Sequence, residues 1–560
     1  MKDLYQETLS QLTSPGQMFE TKEVVNDSGV TFNEYINFPD SIRGYLDFAL
    51  LHSDKECLVY EGERYTYKEV FEKSAQTGNA LIKEGIKKGD KVAICMQNNP
   101  EFIFAYLGIV GIGAVCVPLN SWWIPSEVIY GLEHSDAKLL FADKKRMQGL
   151  ESLENIKKIV TTYTPDSSFK SFSDFIKEHS TSFPEVDIGR NDHATIYYTS
   201  GSTGKPKGVL SSQKAIISTV FSWACFSSIM KEVDAQKNPI TSSLLEEASA
   251  ILLCVPLFHV TGSHAGMFMS ILVGRKIVMM KKWDAGIALQ LIEQEKISDI
   301  TGVPTQTWEL LNHPERLNYD LSSLKTLGAG GAPRPAEHVR QLDSEFEARP
   351  GIGYGLSETN ALGALGSGDE YVDHPQSTGR VVPPLTEIKI IDKNWNELKE
   401  GQVGEIAIKS LGNMICYWKN PEATKECMSN DGWFKSGDLG KFEGHFLYIL
   451  DRVKDIVIRG GENIACPEVE AAIYEHKDIL EACVFGIPDE RLGEILCAAI
   501  YLREGSTLSM EGLQSFLSSR LAAFKIPVNI QFMSVSLPKV GSGKFDKPNL
   551  RKLFIKNKNV

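Results

Sequence analysis

The 560-residue sequence predicts an α/β fold with a large N-terminal body, a β-rich segment late in the chain and a compact terminal unit. Three observations carry this. The length exceeds the ~250–300 residues over which a single hydrophobic core keeps growing, so several domains are expected. From Cys57 onward, strand-like runs alternate with helix-length ones, the rhythm of a largely parallel sheet covered on both faces. From about Val381 that rhythm gives way to alternating segments with few helices between them, as in antiparallel strands.

Taken in order, residues 1–45 are mixed and define little. The sequon Asn26-Asp-Ser28 carries little weight, because Met1-Lys-Asp-Leu-Tyr-Gln-Glu lacks the apolar core of a secretory signal. Residues 58–60 and 64–66 read as a hairpin around Gly62. Thr66 with Glu69 forms a capping box for a helix reaching about Glu84. Gly89-Asp90 turns the chain into a strand over 91–96. Residues 102–119 carry no charge, but their glycines, Pro118 and strand-like end favour a buried helix and strand over a membrane span, which needs ~20 consecutive apolar residues. Strands are expected at 194–198 and 207–210, with a helix beginning only after Ser211-Ser212 and covering 213–226. A polar insertion occupies 231–247. The buried strand 250–255 ends at Pro256-Leu-Phe-His259. Segments 276–280 and 299–303 repeat the strand pattern, and 324–327 runs into Gly328-Ala-Gly-Gly-Ala-Pro333. Segments 387–391 and 405–409 alternate as antiparallel strands. Asp451-Arg-Val-Lys-Asp455 leads into the terminal unit.

Charge narrows the partners. With 59 basic and 72 acidic side chains the net charge is −13, which argues against nucleic acid or an anionic membrane as the main partner. Ten cysteines stand singly, without C-x-x-C or metal-like spacing, as expected for reduced thiols in the cytoplasm.

The chemistry concentrates in Tyr198-Thr-Ser-Gly-Ser-Thr-Gly-Lys-Pro-Lys-Gly-Val209. Glycines let backbone N–H groups approach a ligand, and Lys205 and Lys207 add positive charge, a combination suited to polyphosphate. It is not a Walker loop: Thr199 holds the first glycine position, Pro206 follows the lysine, and a strand rather than a helix comes next. A flexible surface turn would account for the glycines but not for the lysine pair.

This string closely resembles the phosphate-binding signature of adenylate-forming enzymes, the superfamily of acyl-CoA synthetases, luciferases and peptide-synthetase adenylation domains. The resemblance extends over residues 50–550 with further motifs in the family's order. It implies that Thr199, Ser200, Gly201, Ser202, Thr203, Gly204 and Lys207 hold the β- and γ-phosphates of ATP. Tyr354, Gly355, Leu356 and Ser357 lead to Glu358, which the family's Y-G-x-[ST]-E motif makes a Mg²⁺ ligand, with Thr199 as its partner. Gly331, Ala332 and Pro333 match the segment lying against adenine. Asp438, in Lys435-Ser-Gly-Asp438, matches the ribose-binding carboxylate, and Arg452 is expected to reach the ribose or phosphates. His259 is implied to shape the carboxylate site. Lys544, in Leu537-Pro-Lys-Val-Gly-Ser-Gly-Lys544, matches the lysine that stabilises charge on the α-phosphate. Lys454 is the hinge candidate, and Arg459, Gly460 and Gly461 are candidates for the pantetheine passage of coenzyme A.

Each residue has a plainer explanation on its own. A loop glutamate is usually a solvated surface group, a histidine after an apolar strand a satisfied core residue, and a lysine near the C-terminus a tail charge. Their joint order outweighs those readings. Ser263 between His259 and His264 suggests a hydrolase, but no G-x-S-x-G elbow occurs.

The resemblance implies an N-terminal domain (1–451) of two mostly parallel helix-flanked sheets, with a small β-barrel-like subdomain at about 381–451. A hinge (452–454) and a mobile α+β C-terminal domain (455–560) follow. It implies an acid–thiol ligase that converts a carboxylic acid and ATP to acyl-AMP and pyrophosphate, then passes the acyl group to CoA. No transmembrane segment is expected, and a homodimer is compatible with such a chain. Where acetate-specific relatives carry a tryptophan, three residues before Glu358, this chain has Gly355. Gly353 and Gly328 are small as well, and residues 267–272 offer an apolar stripe, although such a stripe is more often core. A medium- or long-chain fatty acid is therefore expected. An aryl acid of the coumarate type, a carrier protein in place of CoA, and a catalytically inactive nucleotide-binding regulator are the alternatives.

Overall fold

The computed structural model describes the chain except residues 1–3, 27–28, 151–158, 164–168, 200–204, 238–248, 460–461, 541–542 and 559–560. Two large sheets form the N-terminal body. The first has eight strands in the order Cys416–Tyr417, Lys207–Ser212, His193–Thr199, Val115–Pro118, Lys91–Cys95, Ala137–Ala142, Ile159–Thr161 and Lys170–Ser171. It is parallel from His193–Thr199 onward and antiparallel at its first two pairings. The second has nine strands, with a parallel centre built from Arg349–Tyr354, Thr326–Gly330, Asp299–Gly302, Ala250–Leu253, Lys276–Met279 and Glu56–Tyr60.

Local signals account for much of this. The expected hairpin pairs Glu56–Tyr60 with Glu63–Thr66. Both hydrogen bonds of the Thr66/Glu69 capping box form, opening the helix Tyr67–Lys83. The uncharged run becomes the buried helix Pro100–Gly111, capped by Asn99, and the buried strand Val115–Pro118. Among the described residues, no helix is long and apolar enough to cross a membrane.

Three elements depart from expectation. The helix after Ser212 runs over Gln213–Lys237, through the first part of the polar insertion, because Lys231-Glu-Val-Asp-Ala-Gln-Lys237 contains no helix breaker. The rest of that insertion lies outside the described residues. The segment 324–327 runs into its glycines as a strand, Thr326–Gly330, which takes them in. A Cβ on Gly330 would lie 3.1 Å from the carbonyl oxygen of Gly353 on the neighbouring strand, so the sheet needs a bare backbone there. Finally, the strand at 250 ends at Leu253, and His259 stands in a turn before a π-helix, Thr261–Phe268. In the stripe 267–272, Met267, Phe268 and Ile271 are core, while Met269 and Leu272 are only partly buried.

The β-rich segment is a four-stranded antiparallel sheet, Thr386–Ile391, Gly404–Ser410, Phe434–Glu443 and Phe446–Arg452. After it, the terminal unit forms its own five-stranded sheet with helices Cys466–Tyr474, Met510–Ser518 and Lys547–Lys558, and two apolar clusters of its own.

Candidate active site

The site gathers where the ends of the second sheet, the β-rich sheet and the terminal unit meet. Tyr354 closes the strand Arg349–Tyr354, and its hydroxyl donates to Asp438 Oδ2 at 2.8 Å. Asp438 is 6% exposed and sits across the strand pair from Arg452, whose Nε is 3.6 Å from its other oxygen. Burial pushes the Asp438 carboxyl up, with Arg452 the main influence in the other direction.

Lys544 enters from the terminal unit. Its loop leans on the N-terminal body, where Thr305 Oγ1 donates to the Gly543 carbonyl at 3.0 Å. The side chain comes so close to Gly331 that a Cβ there would lie 3.1 Å from Lys544 Cε and 3.2 Å from Nζ, and φ at Gly331 is +75°. Glycine is required at that position on both counts. Desolvation lowers the Lys544 ammonium to about 8; the Arg452 charge adds to the lowering and Asp438 opposes it. His259 is lowered to about 3, first by desolvation and then by Lys544, so its imidazole is neutral at working pH.

Glu358 stands on a short 3₁₀ turn, Ser357–Thr359, and is 8% exposed. Oε1 accepts from Tyr417 at 2.7 Å, and its backbone carbonyl accepts from Met414 N at 2.7 Å. Across the first sheet, Thr199 and Lys207 are register partners at the two ends of the glycine-rich loop. Lys207 Nζ lies 4.4 Å from the Tyr417 ring centroid, and Lys205 Nζ 5.1 Å from that of Tyr130. Residues 200–204 between them are outside the described residues.

The donor set suits Mg²⁺. That ion is usually held by one or two carboxylates together with substrate phosphates, rather than by an all-protein cage. One buried carboxylate shares Tyr417 with Lys207 here, and no group of three metal-ligating side chains occurs among the described residues.

Other expected residues are not gathered at this point. Arg459 donates to the carbonyl of Phe524 within the terminal unit, and Lys454 is exposed at the turn after Arg452. Gly460 and Gly461 lie outside the described residues. Gly355 bears on the specificity argument: its Cβ direction runs into the backbone of Ala361, 2.3 Å from the carbonyl oxygen. In this backbone the turn itself keeps that position small, whatever the acid. Tyr417, which ties Glu358 to Lys207, has no motif to announce it. Only its place on the edge strand Cys416–Tyr417, paired with Lys207–Ser212, brings it in.

Comparisons with known proteins identify the family. The AMP-binding enzyme profile matches residues 47–418, and the profile of the AMP-binding enzyme C-terminal domain matches residues 468–544. A feruloyl-CoA synthase from Amycolatopsis sp is 31% identical over 88% of this chain and 94% of its own length. A long-chain-fatty-acid–CoA ligase from Bacillus subtilis (strain 168) is likewise 31% identical, over 92% of this chain and 94% of its own. The crystal structure of ATP-bound MatB from Rhodopseudomonas palustris superposes with a TM-score of 0.79 at 26% identity, covering 91% of this chain and 99% of that one. The chain therefore belongs to the AMP-binding enzyme family, as an acid–thiol ligase of the adenylate-forming acyl-CoA synthetase type.

Proposed function

We propose that the protein activates a medium- or long-chain fatty acid as its acyl-adenylate and transfers the acyl group to CoA. The observation that carries this reading is the approach of Lys544, from the terminal unit, to Gly331, Asp438 and Arg452. A carboxylate is a poor acyl donor because oxide is a poor leaving group; attack on the α-phosphate replaces it with AMP and releases pyrophosphate. In this reading Asp438 accepts hydrogen bonds from the ribose diol, and Gly331, Ala332 and Pro333 lie against adenine. Thr199 to Lys207 hold the pyrophosphate to be released. Lys544 stabilises the charge growing on the α-phosphate, and neutral His259 orients the carboxylate by hydrogen bonding. Glu358 and Thr199 would hold Mg²⁺, which supplies charge neutralisation to the leaving phosphates. Residues 452–454 serve as the hinge on which residues 455–560 turn to expose the Arg459 face to CoA. Ten free cysteines fit work in a reducing cytoplasm.

Two facts support the fatty-acid assignment: the likeness to the Bacillus subtilis ligase, and the partly buried apolar side chains Ala265, Met269, Leu272, Ala361 and Leu365 at the edge of the core. The equal identity to feruloyl-CoA synthase favours an aryl acid as the second reading. A panel of acetate, decanoate, palmitate, coumarate and ferulate, scored by thioester product and by pyrophosphate release with and without CoA, decides. Decanoate or palmitate is expected to give the highest kcat/KM. Preference for ferulate or coumarate would move the assignment to aryl acids, and absence of pyrophosphate release with every acid would remove the ligase reading.

The pH dependence should follow Lys544. Below about 8 its amine carries the charge; above, that charge is lost. In the free enzyme, kcat/KM for ATP in adenylation is expected to fall as pH rises through about 8, as a single ionisation. Bound triphosphate favours the ammonium, so the corresponding limb of kcat lies at higher pH. A profile flat to pH 9.5 would contradict the role.

A further inference from the structure

The segment 414–417 grips Glu358 twice: Met414 N donates to its backbone carbonyl and the Tyr417 hydroxyl to its carboxylate, each at 2.7 Å. The same segment is the edge strand paired with Lys207–Ser212, with Val209 opposite Tyr417. Tyr417 is itself 6% exposed and held from behind by the bond from its N–H to Thr424 Oγ1 at 3.0 Å. One face of its ring carries the Lys207 ammonium at 4.4 Å. A single side chain thus touches two residues of the candidate site: the Glu358 carboxylate by hydrogen bond, the Lys207 ammonium through its π face.

We propose that Tyr417 is a positioning residue for the triphosphate clamp. Its hydroxyl occupies Glu358 Oε1 and so fixes the carboxylate that would hold Mg²⁺, and its ring holds the Lys207 ammonium in place. The proposal rests on the reading of Glu358 as the metal-binding carboxylate. Its physical basis is that a carboxylate with one oxygen committed to a buried donor loses rotational freedom, so less ordering remains to be done when the ion binds. An ammonium over an aromatic face is likewise held by attraction to the ring quadrupole.

Two substitutions separate the two contacts. Tyr417→Phe removes the bond to Glu358 and keeps the ring under Lys207; Tyr417→Leu removes both. ATP binding is measured by titration calorimetry, once in EDTA and once in Mg²⁺, with Glu358→Gln as the reference. Tyr417→Phe is expected to weaken ATP binding about tenfold in Mg²⁺ and leave it unchanged in EDTA, since a hydrogen bond to a charged group is lost. Tyr417→Leu is expected to lose about threefold in EDTA as well. Equal weakening of Tyr417→Phe in both media, or none in Mg²⁺, would overturn the proposal. If Glu358→Gln keeps the full gain from Mg²⁺, the reading of Glu358 fails instead. If it loses that gain while Tyr417→Phe keeps it, only the role of Tyr417 falls.

Discussion

Lys544→Ala is expected to lower acid-dependent pyrophosphate release by about two to three orders of magnitude, the usual cost of removing one donor aimed at developing charge. Thioester formation from supplied acyl-adenylate and CoA should stay within about threefold of the parent, because the α-phosphate charge has already been resolved in that substrate. The alkaline decline of adenylation through about pH 8 should also vanish with the amine that causes it. Equal loss in both half-reactions would mean that Lys544 supports the fold rather than one chemical step. The two half-reactions can be told apart because the lysine sits on a loop of the terminal unit, outside the sheet carrying Tyr354, and that loop rests on Thr305.

Asp438→Ala is expected to raise KM for ATP about a hundredfold or more, with KM for the acid little changed. The carboxylate would lose its hydrogen bonds to the ribose, and two groups that now depend on it, the Tyr354 hydroxyl and Arg452, would lose their partner. Hydrogen bonds to charged groups contribute about 1.5–3 kcal/mol each, which sets that scale. Steady-state kinetics with ATP and acid varied separately checks it; a rise in KM for the acid alone would place Asp438 at the wrong substrate. Asp438→Asn should recover part of the loss, since an amide oxygen still accepts from Tyr354.

Features that depend on neighbours in sequence were legible before any coordinates. The Thr66/Glu69 cap, the hairpin around Gly62 and the alternation at 387–391 and 405–409 all form as expected, because their hydrogen-bond partners lie within a few residues or on the next strand. The Glu358, Asp438 and Lys544 motifs were legible as words, but their convergence was not, since it requires three sheets to meet. The surroundings of Gly355 were hidden for a similar reason: the direction of its missing Cβ is set by the return of the chain at Ala361. Tyr417 was invisible because a tyrosine on a two-residue edge strand has no local signature, and its meaning comes from a glutamate 59 positions earlier. The π-helix Thr261–Phe268 also escaped, as its composition differs little from that of an α-helix.

The contacts that hold the terminal unit against the body have one asymmetry. Lys539 pairs with Glu309 on the body and with Glu481 on its own unit, and Glu481 also accepts from Ser536 and the backbone of Leu537. Glu481 is nearly enclosed, with 9% of its side chain exposed, whereas 34% of Glu309 already faces water. A swing of the unit about residues 452–454 would therefore carry the enclosed ion pair along whole and shed only the partner that water can replace. Further ties, such as Trp308 Nε1 to Leu480 O, Arg503 to Asn312 and Thr305 to Gly543 O, are single hydrogen bonds. At Lys539 the seam is therefore reversible by construction: departure strands no charge of that ion pair in a dry place, and the group that return must desolvate is Lys544 itself.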